Sequence, residues 1–384
     1  MENEQPIRGH AIAMTVRSVG VEEELLLVEP GTGQPLAVAE TALRTVDADS
    51  GGEEGTYRDA GESLEFELQR QQLETSTKPC FELSELGQEL RRGRSLAAEA
   101  AGRAGARVTA LATCPVPVEP QLVHKGRYLR MAHAFGLTTY EQLTCGCHVH
   151  VGISSPDEGV AVLDRIRPWL PVLLALSANS PFWQGRDSAY ASFRYQAWSR
   201  WPSSGPTDAF GSPEVYRQTV RQMISTGTVL DAGMVYFDAR LSHQYPTVEI
   251  RVSDVCLYAD DAALIAALAR ALVETEARRW RAGSAVPAHR IEMLRLAAWR
   301  ASRSGLDDVL LDPRTGLPAP APAVANTLLE RVRDALDEAG DTDAVTELLG
   351  AVLTRGNGAA FQRSACRDGS LASVIESTAA ITAR

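Results

Sequence analysis

The ten residues VGVEEELLLV, Val19 to Val28, set three glutamates in a row inside a run that is otherwise apolar. The valines and leucines on both sides favour a strand, in which successive side chains point to opposite faces. Glu22 and Glu24 then share one face, while Glu23 shares the other with Val21, Leu25 and Leu27. Like charges side by side on a strand repel each other. Such a pair belongs either on a solvated edge or around a cation, and the rest of the chain has to decide.

Three further segments repeat the pattern. In TVEIRVSD, Val248, Ile250 and Val252 form one face and Thr247, Glu249, Arg251 and Ser253 the other, as in a half-buried strand whose polar side looks into something. In CGCHVHVGI, His148 and His150 share a face opposite Cys147, Val149 and Val151. In LEFELQRQQLETSTKP, Leu64, Phe66 and Leu68 alternate with Glu65, Glu67 and Gln69, but Leu73 between Gln72 and Glu74 has switched parity. A strand does that only through a bulge or a break, so the chain must bend if Glu67 and Glu74 face one site.

Each segment alone reads as surface: a solvated edge, an exposed Glu–Arg pair, two structural histidines. Together they would crowd carboxylates that cannot all stay ionised without cations. Oxygen ligands with one or two imidazoles suit magnesium or manganese. A thiolate zinc site fits less well, because Cys147 lies opposite the histidines and Cys80 and Cys114 lack a paired spacing. Neither glycine-rich phosphate cradle, G-x-x-x-x-G-K-[ST] or G-x-G-x-x-G, occurs. Metals on a carboxylate sheet can hold a nucleoside triphosphate instead, and Arg251 beside Glu249 would meet the charge on a transferred phosphoryl group.

The chain has 384 residues, enough for one large domain or two intimate ones with an ample core. A net charge of -11 argues against a nucleic-acid or anionic-membrane surface. The start, MENEQPIRGH, has no apolar signal core, and six scattered cysteines form no disulfide framework, so a reducing cytoplasm is the default compartment. Along the chain, Gly51 to Gly55 and Asp59 to Gly61 read as loops, and Glu82 to Ala104 as a helix. Ala106 to Ala112 reads as a short strand, Lys125 to Phe135 as a helix and Cys145 to Ile153 as a strand. Asp157 to Ser177 is an apolar helix that Pro168 and Pro171 should kink or divide. A polar, aromatic-rich stretch from Asn179 to Thr207 precedes a helix near Pro213 to Thr226 and strands near Met234 to Ala239 and Thr247 to Asp254. From Ala259 the pattern is helical apart from Pro313 to Pro322. Strands mixed with helices, without regular βαβ alternation, predict an α+β fold on an antiparallel sheet with helices packed behind it.

The motifs GVEEELLLVEP, QLETSTKP, GCHVHVGI, NSPFWQGRDSAYASFR and TVEIRVSD, in that order, resemble the type 2 glutamate–cysteine ligase family, the YbdK-type ATP-dependent carboxylate–amine ligases. The resemblance runs from about Ser18 to Asp254 and more loosely through GNGAAFQRSA. It implies a glutamine-synthetase-like catalytic fold in a single domain over 1–384, with a mixed core over about 15–258 and a mainly helical part over about 259–384. It implies magnesium ligands at Glu22, Glu24, Glu67, Glu74, His148 and Glu249, with Glu65 as the other candidate for the Glu67 position. Arg251 corresponds to the arginine that assists phosphoryl transfer. Substrate contacts are expected from His150, Arg186, Tyr190 and Arg194, since a forked guanidinium suits a carboxylate or phosphate. The implied reaction uses ATP and Mg2+ (or Mn2+) to activate a carboxylate as an acyl phosphate, which an amine then converts to an amide. Glutamate is the expected acid and cysteine the named amine, with weak activity toward that pair; a homo-oligomer stays open, and neither nucleic acid nor membrane is expected as a partner. Two alternatives are a metal-dependent hydrolase using the His148/His150 pair and an inactive nucleotide-binding protein.

Overall fold

The computed structural model describes residues 16–50, 56–59, 62–367 and 369–383. An eight-stranded sheet dominates it, formed by β1 (Val19–Val28), β2 (Thr56–Asp59), β3 (Glu62–Phe66), β4 (Gln72–Ser76), β5 (Arg107–Thr109) and β6 (Gly146–Gly152), then β9 and β10. Strands β7 (Phe182–Trp183) and β8 (Arg186–Asp187) form a separate small hairpin; β9 (Ala239–Leu241) and β10 (Thr247–Asp254) complete the sheet, and β11 (Val309–Leu311) pairs with β12 (Pro318–Pro320). The order is β2-β3-β4-β1-β6-β10-β9, with β5 also on β1, and every strand pairing in this sheet is antiparallel.

The helices are α1 (Ala39–Ser50), α2 (Leu83–Arg103), α3 (Gly126–Phe135), α4 (Leu137–Tyr140), α5 (Pro156–Ile166), α6 (Leu170–Ser177) and α7 (Phe193–Trp198). They continue as α8 (Pro213–Ser225), α9 (Ala259–Arg281), α10 (Ile291–Ser304), α11 (Ala321–Ala339), α12 (Thr342–Arg355), α13 (Gly358–Arg367) and α14 (Leu371–Thr382). None of them is long and apolar enough to cross a membrane.

Period-two patterning decides which face of the sheet the helices cover. Val19, Val21, Val149, Val151, Val248, Ile250 and Val252 form one buried cluster with Leu86 and Leu90 of α2 and Leu264 and Leu268 of α9. Fully burying each such side chain contributes about 1.5–3 kcal/mol. Glu23 lies on this apolar face and is tolerated there because Arg94 of α2 grips it with two bonds, Nε to Oε2 at 2.8 Å and Nη2 to Oε1 at 2.6 Å. Arg94 also donates to the carbonyls of Leu257 and Cys256.

The parity switch after Glu67 is a hairpin. Strand β3 ends at Phe66, β4 begins at Gln72, and the register sets Glu65 opposite Glu74. Pro168 and Pro171 divide the apolar helix into α5 and α6, with Pro171 in the first turn of α6, where its missing N–H costs nothing. At the C-terminus, α14 is tied to the sheet edge by Thr378 to Thr109 (2.9 Å) and by the Ala110 N–H to Thr382 Oγ1 (2.8 Å).

Some expectations shift. Gly51 to Gly55, Ala60 and Gly61 lie outside the described residues, and Asp59 ends a strand instead of opening a loop. The strand expected at Met234 to Ala239 is a 3₁₀ turn, Ala232–Met234, followed by irregular chain in which Phe237 makes an isolated bridge to Gly205; only Ala239–Leu241 joins the sheet. The reason is packing. Met234, Val235, Tyr236 and Phe237 are all buried in succession, which an alternating half-buried strand does not permit.

Candidate active site

The face of the sheet away from α2 and α9 carries the ionisable residues in rows that the antiparallel register dictates. One row runs Gly20, His150, Glu249, Arg240; the next aligns Ser76, Glu22 and His148; the third aligns Glu65, Glu74 and Glu24. A β-bulge between Ile250 and Ser253 frees Arg251 from β6, and its N–H donates to the Asp238 carbonyl (2.9 Å). The rows floor a cavity of ≈ 1240 Å³, above the usual range of about 300–1,000 Å³ for a single small-molecule site.

Among the described residues, two triads have ligand atoms within 4.8 Å of one another: Glu22, His150 and Glu249, and Glu24, Glu67 and Glu74. His148 lies between them, with Nδ1 3.4 Å from Glu22 and Nε2 3.8 Å from Glu24. The Nε2 atom of His148 is buried without a hydrogen-bond partner, while that of His150 faces Glu22 Oε1 at 3.3 Å. A buried, unpartnered imidazole nitrogen among carboxylate oxygens fits a divalent cation, and the oxygen-rich donor set fits magnesium or manganese. His150, expected as a substrate contact, joins one triad, and His148, expected as a ligand, joins neither.

The electrostatics follow from crowding. Burial and the neighbouring Glu24 push the Glu67 carboxyl up to about 8. Burial, with Glu22 and Glu67 close by, pushes Glu74 well above the usual carboxylate range. Burial acts upward on Glu22 too, but hydrogen bonds to His148 and His150 outweigh it and hold this carboxyl well below. Glu249 is likewise held low: Arg251 and Arg240 more than offset its burial. Burial and the Arg251 cation lower His148. On His150 the hydrogen bond and charge of Glu22 overcome burial and raise it.

Glu249 is gripped from two sides. Arg240 donates Nε to Oε2 (2.7 Å) and Nη2 to Oε1 (3.0 Å), and Arg251 also bonds Oε1. Arg240 is in turn fixed by the carbonyls of Gly233 (3.2 Å) and Val235 (3.0 Å). The Gly146 N–H donates to Glu24 Oε2 (2.6 Å). Gly146 has no room for a side chain, because a Cβ there would run into the guanidinium of Arg194. Arg194 is buried over the Trp198 ring (5.7 Å), 3.8 Å from Asp254, whose carboxylate accepts from Asn179 N, Ser180 Oγ and Ser192 Oγ.

The sequence-expected residues therefore separate. Glu22, Glu24, Glu67, Glu74, His148, His150, Glu249 and Arg251 all line the cavity, as does Glu65. Arg194 is packed against the same face without lining it, and Arg186 and Tyr190 stand outside it: Arg186 is exposed on β8, and Tyr190 packs on Phe193 and Trp299. Sequence reasoning missed Arg240, the Arg127–Asp231 pair and an aromatic wall of Trp198, Trp201 and Tyr236. The spacing in AWSRW was the signal for the tryptophans; Arg240, on a three-residue strand, had none.

The protein thus sets an antiparallel sheet, with helices behind it and carboxylates in rows, under a large cleft. The chain belongs to glutamate–cysteine ligase family 2, whose model matches residues 18–377. It is 54% identical over 364 residues, 94% of this chain and 98% of the relative, to a Streptomyces avermitilis protein provisionally named glutamate–cysteine ligase 2-1. A Streptomyces coelicolor protein with the provisional name glutamate–cysteine ligase 2 is 52% identical over 94% of this chain and 97% of its own. Among solved structures, glutamate–cysteine ligase from Francisella tularensis in complex with AMP shares the fold at TM-score 0.64 and 14% identity, over 96% of this chain and 89% of that one. A bifunctional glutathione synthetase from Pasteurella multocida gives TM-score 0.65 at 15% identity over 95% of this chain, which spans about half (52%) of that longer protein.

Proposed function

We propose that the protein is an ATP-dependent carboxylate–amine ligase that makes an amide through an acyl phosphate, with glutamate as the acid and weak activity toward cysteine. The observation that carries this reading is the Glu249–Arg251 arrangement. A buried guanidinium, held on its strand by a bulge and by a carboxylate itself gripped by Arg240, points into a cleft floored by candidate metal ligands. Arg251 stays charged, because Glu249 outweighs the effect of its burial. A fixed cation so placed stabilises charge as it develops on a transferred γ-phosphoryl group.

Glu22, His150 and Glu249 would hold one divalent cation and Glu24, Glu67 and Glu74 another, with His148 beside both. Bound there, magnesium or manganese would neutralise the triphosphate. The chain itself orients the nucleotide against Arg251 and shields the acyl phosphate from bulk water within the cleft. Nucleotide use is further supported by the fold shared with the AMP-bound Francisella ligase. Six free cysteines, five of them buried, suit a reducing compartment such as the cytoplasm.

The test is product analysis. ADP, phosphate and an amide should appear together, and only when ATP, a carboxylate and an amine are all supplied. Turnover of an amide without ATP would overturn the ligase reading in favour of a metal-dependent hydrolase.

A further inference from the structure

We propose that Arg127 and Asp231 form a clamp for the α-carboxylate and α-ammonium of the acid substrate, so that the enzyme activates the distal carboxylate of a free amino acid. The inference rests on the ligase reading and deepens it, because it says which groups of that substrate the cleft recognises.

Arg127 on α3 and Asp231, just before the 3₁₀ turn, meet in a bidentate pair: Nε donates to Oδ2 (2.8 Å) and Nη2 to Oδ1 (3.0 Å). Both line the cavity, and their side chains are 35% and 40% exposed, within reach of a ligand. A pair so exposed contributes little to stability. It does keep both charges in place: the Arg127 hydrogen bond holds the Asp231 carboxyl below its usual range.

A guanidinium has five N–H groups. Asp231 takes two of those on Arg127 and Met131 Sδ takes one from Nη1 (3.4 Å), which leaves one on Nη1 and one on Nη2. Those two form a second fork of the kind that suits a carboxylate, and the Tyr236 hydroxyl lies beside the guanidinium.

The other guanidiniums lining the cavity among the described residues have no such edge to give. Arg240 commits Nε and Nη2 to Glu249 and Nη1 to the carbonyls of Gly233 and Val235. Arg17 commits Nε to Glu274 and Nη1 to Gly152 and Glu158. Arg251 bonds Glu249 through Nη1, and its remaining edge is the one that the ligase reading gives to the phosphoryl group. Asp231 is distinct in the same way. Among the described acids lining the cavity, it stands outside both the carboxylate rows and the two triads, so it can meet an ammonium without giving up a metal.

The clamp is also tied to the reacting centre. Arg240, which grips Glu249, donates Nη1 to the Gly233 carbonyl (3.2 Å). Gly233 in turn packs so closely on the pair that a Cβ there would lie 3.1 Å from both Arg127 Nη2 and Asp231 Oδ1. The charges of Arg251 and Arg127 both reach Glu67. A clamp coupled in this way to Glu249 and Arg251 aligns the substrate whose carboxylate must receive the phosphoryl group, which is the acid.

The experiment supplies ATP, magnesium, hydroxylamine as the amine and one of three acids: glutamate, glutarate, which lacks the α-ammonium, or 4-aminobutyrate, which lacks the α-carboxylate. Hydroxylamine carries neither group, so hydroxamate formation reports on the acid alone. The wild type should favour glutamate over each analogue by at least about tenfold in kcat/KM, the scale of one hydrogen bond to a charged group. Arg127→Gln should lose mainly the preference over 4-aminobutyrate, and Asp231→Asn mainly the preference over glutarate; a ratio within one preparation does not depend on the fraction folded. No preference in the wild type, or losses that are absent, equal or reversed between the two ratios, overturns the inference and leaves the ligase. A loss confined to the ratio of cysteine to cysteamine, with glutamate as the acid, places the clamp on the amine and overturns it too. Hydroxamate from none of these acids and from no wider carboxylate panel overturns both.

Discussion

Glu24 on β1 and Glu74 on β4 stand directly opposite each other in the antiparallel register, both on the face that lines the cavity. Opposed like charges destabilise a sheet, and burial prevents water from relieving them. The pair is tolerable when a proton or a cation joins it. Magnesium or manganese should therefore raise the melting temperature of the wild type at neutral pH, by mass action worth about 2.7 kcal/mol at a hundred times Kd. Glu74→Gln should melt at or above the metal-free wild type and lose most of the metal-induced rise. Differential scanning fluorimetry with and without chelator reads both, and an undiminished rise in Glu74→Gln would remove this triad as a metal site.

Arg251→Lys keeps a charge but loses the planar fork that meets both Glu249 and an incoming phosphate. Because the interaction strengthens in the transition state, kcat should fall on the order of 10²–10³ with a modest change in ATP affinity. Steady-state kinetics set beside equilibrium nucleotide binding separate the two effects. Near-wild-type turnover would take Arg251 out of the mechanism.

The Glu23–Arg94 pair fastens β1 to α2 on the apolar face. Removing one partner leaves an uncompensated buried charge, a loss of about 3–5 kcal/mol. Arg94→Ala should lower the urea midpoint accordingly, and Glu23→Gln/Arg94→Met should recover much of the loss. An unchanged midpoint in Arg94→Ala would mean that the pair is solvated in solution.

Asp238 predicts a pH dependence. Burial raises its carboxyl to about 7, against the lowering effects of the Tyr195 hydroxyl (3.0 Å) and Arg194. Its folded pKa lies above its unfolded one, so the folded state holds the extra proton between them. The stability this proton contributes is full below about pH 4 and is lost as pH rises toward 7, with a slope of up to about 1.4 kcal/mol per pH unit. Asp238→Asn should flatten that part of the profile, measured by denaturant midpoints at several pH values. A slope unchanged in the variant would assign it to other groups.

What the sequence determined by itself is local: which segments are strands and which of their residues share a face. Period two placed Glu22 with Glu24, His148 with His150 and Glu249 with Arg251, and β1 and β10 have the expected limits. The parity break required a turn between Glu67 and Glu74, and the two prolines required a divided helix; both follow from backbone sterics that act within a few residues. Which rows those faces form was decided only by strand order and register. Local chemistry does not encode that β1 lies between β4 and β6, so Glu24 meeting Glu74 and Arg240 gripping Glu249 were illegible. The same holds for Glu23, whose partner lies 71 residues away on a helix. Met234 to Phe237 looked like a strand because its residues favour one, and packing against the aromatic wall overrode that preference. A cavity needs walls from distant segments, here Trp198, Tyr236 and Tyr128 over the carboxylate rows, and only the folded chain brings them together.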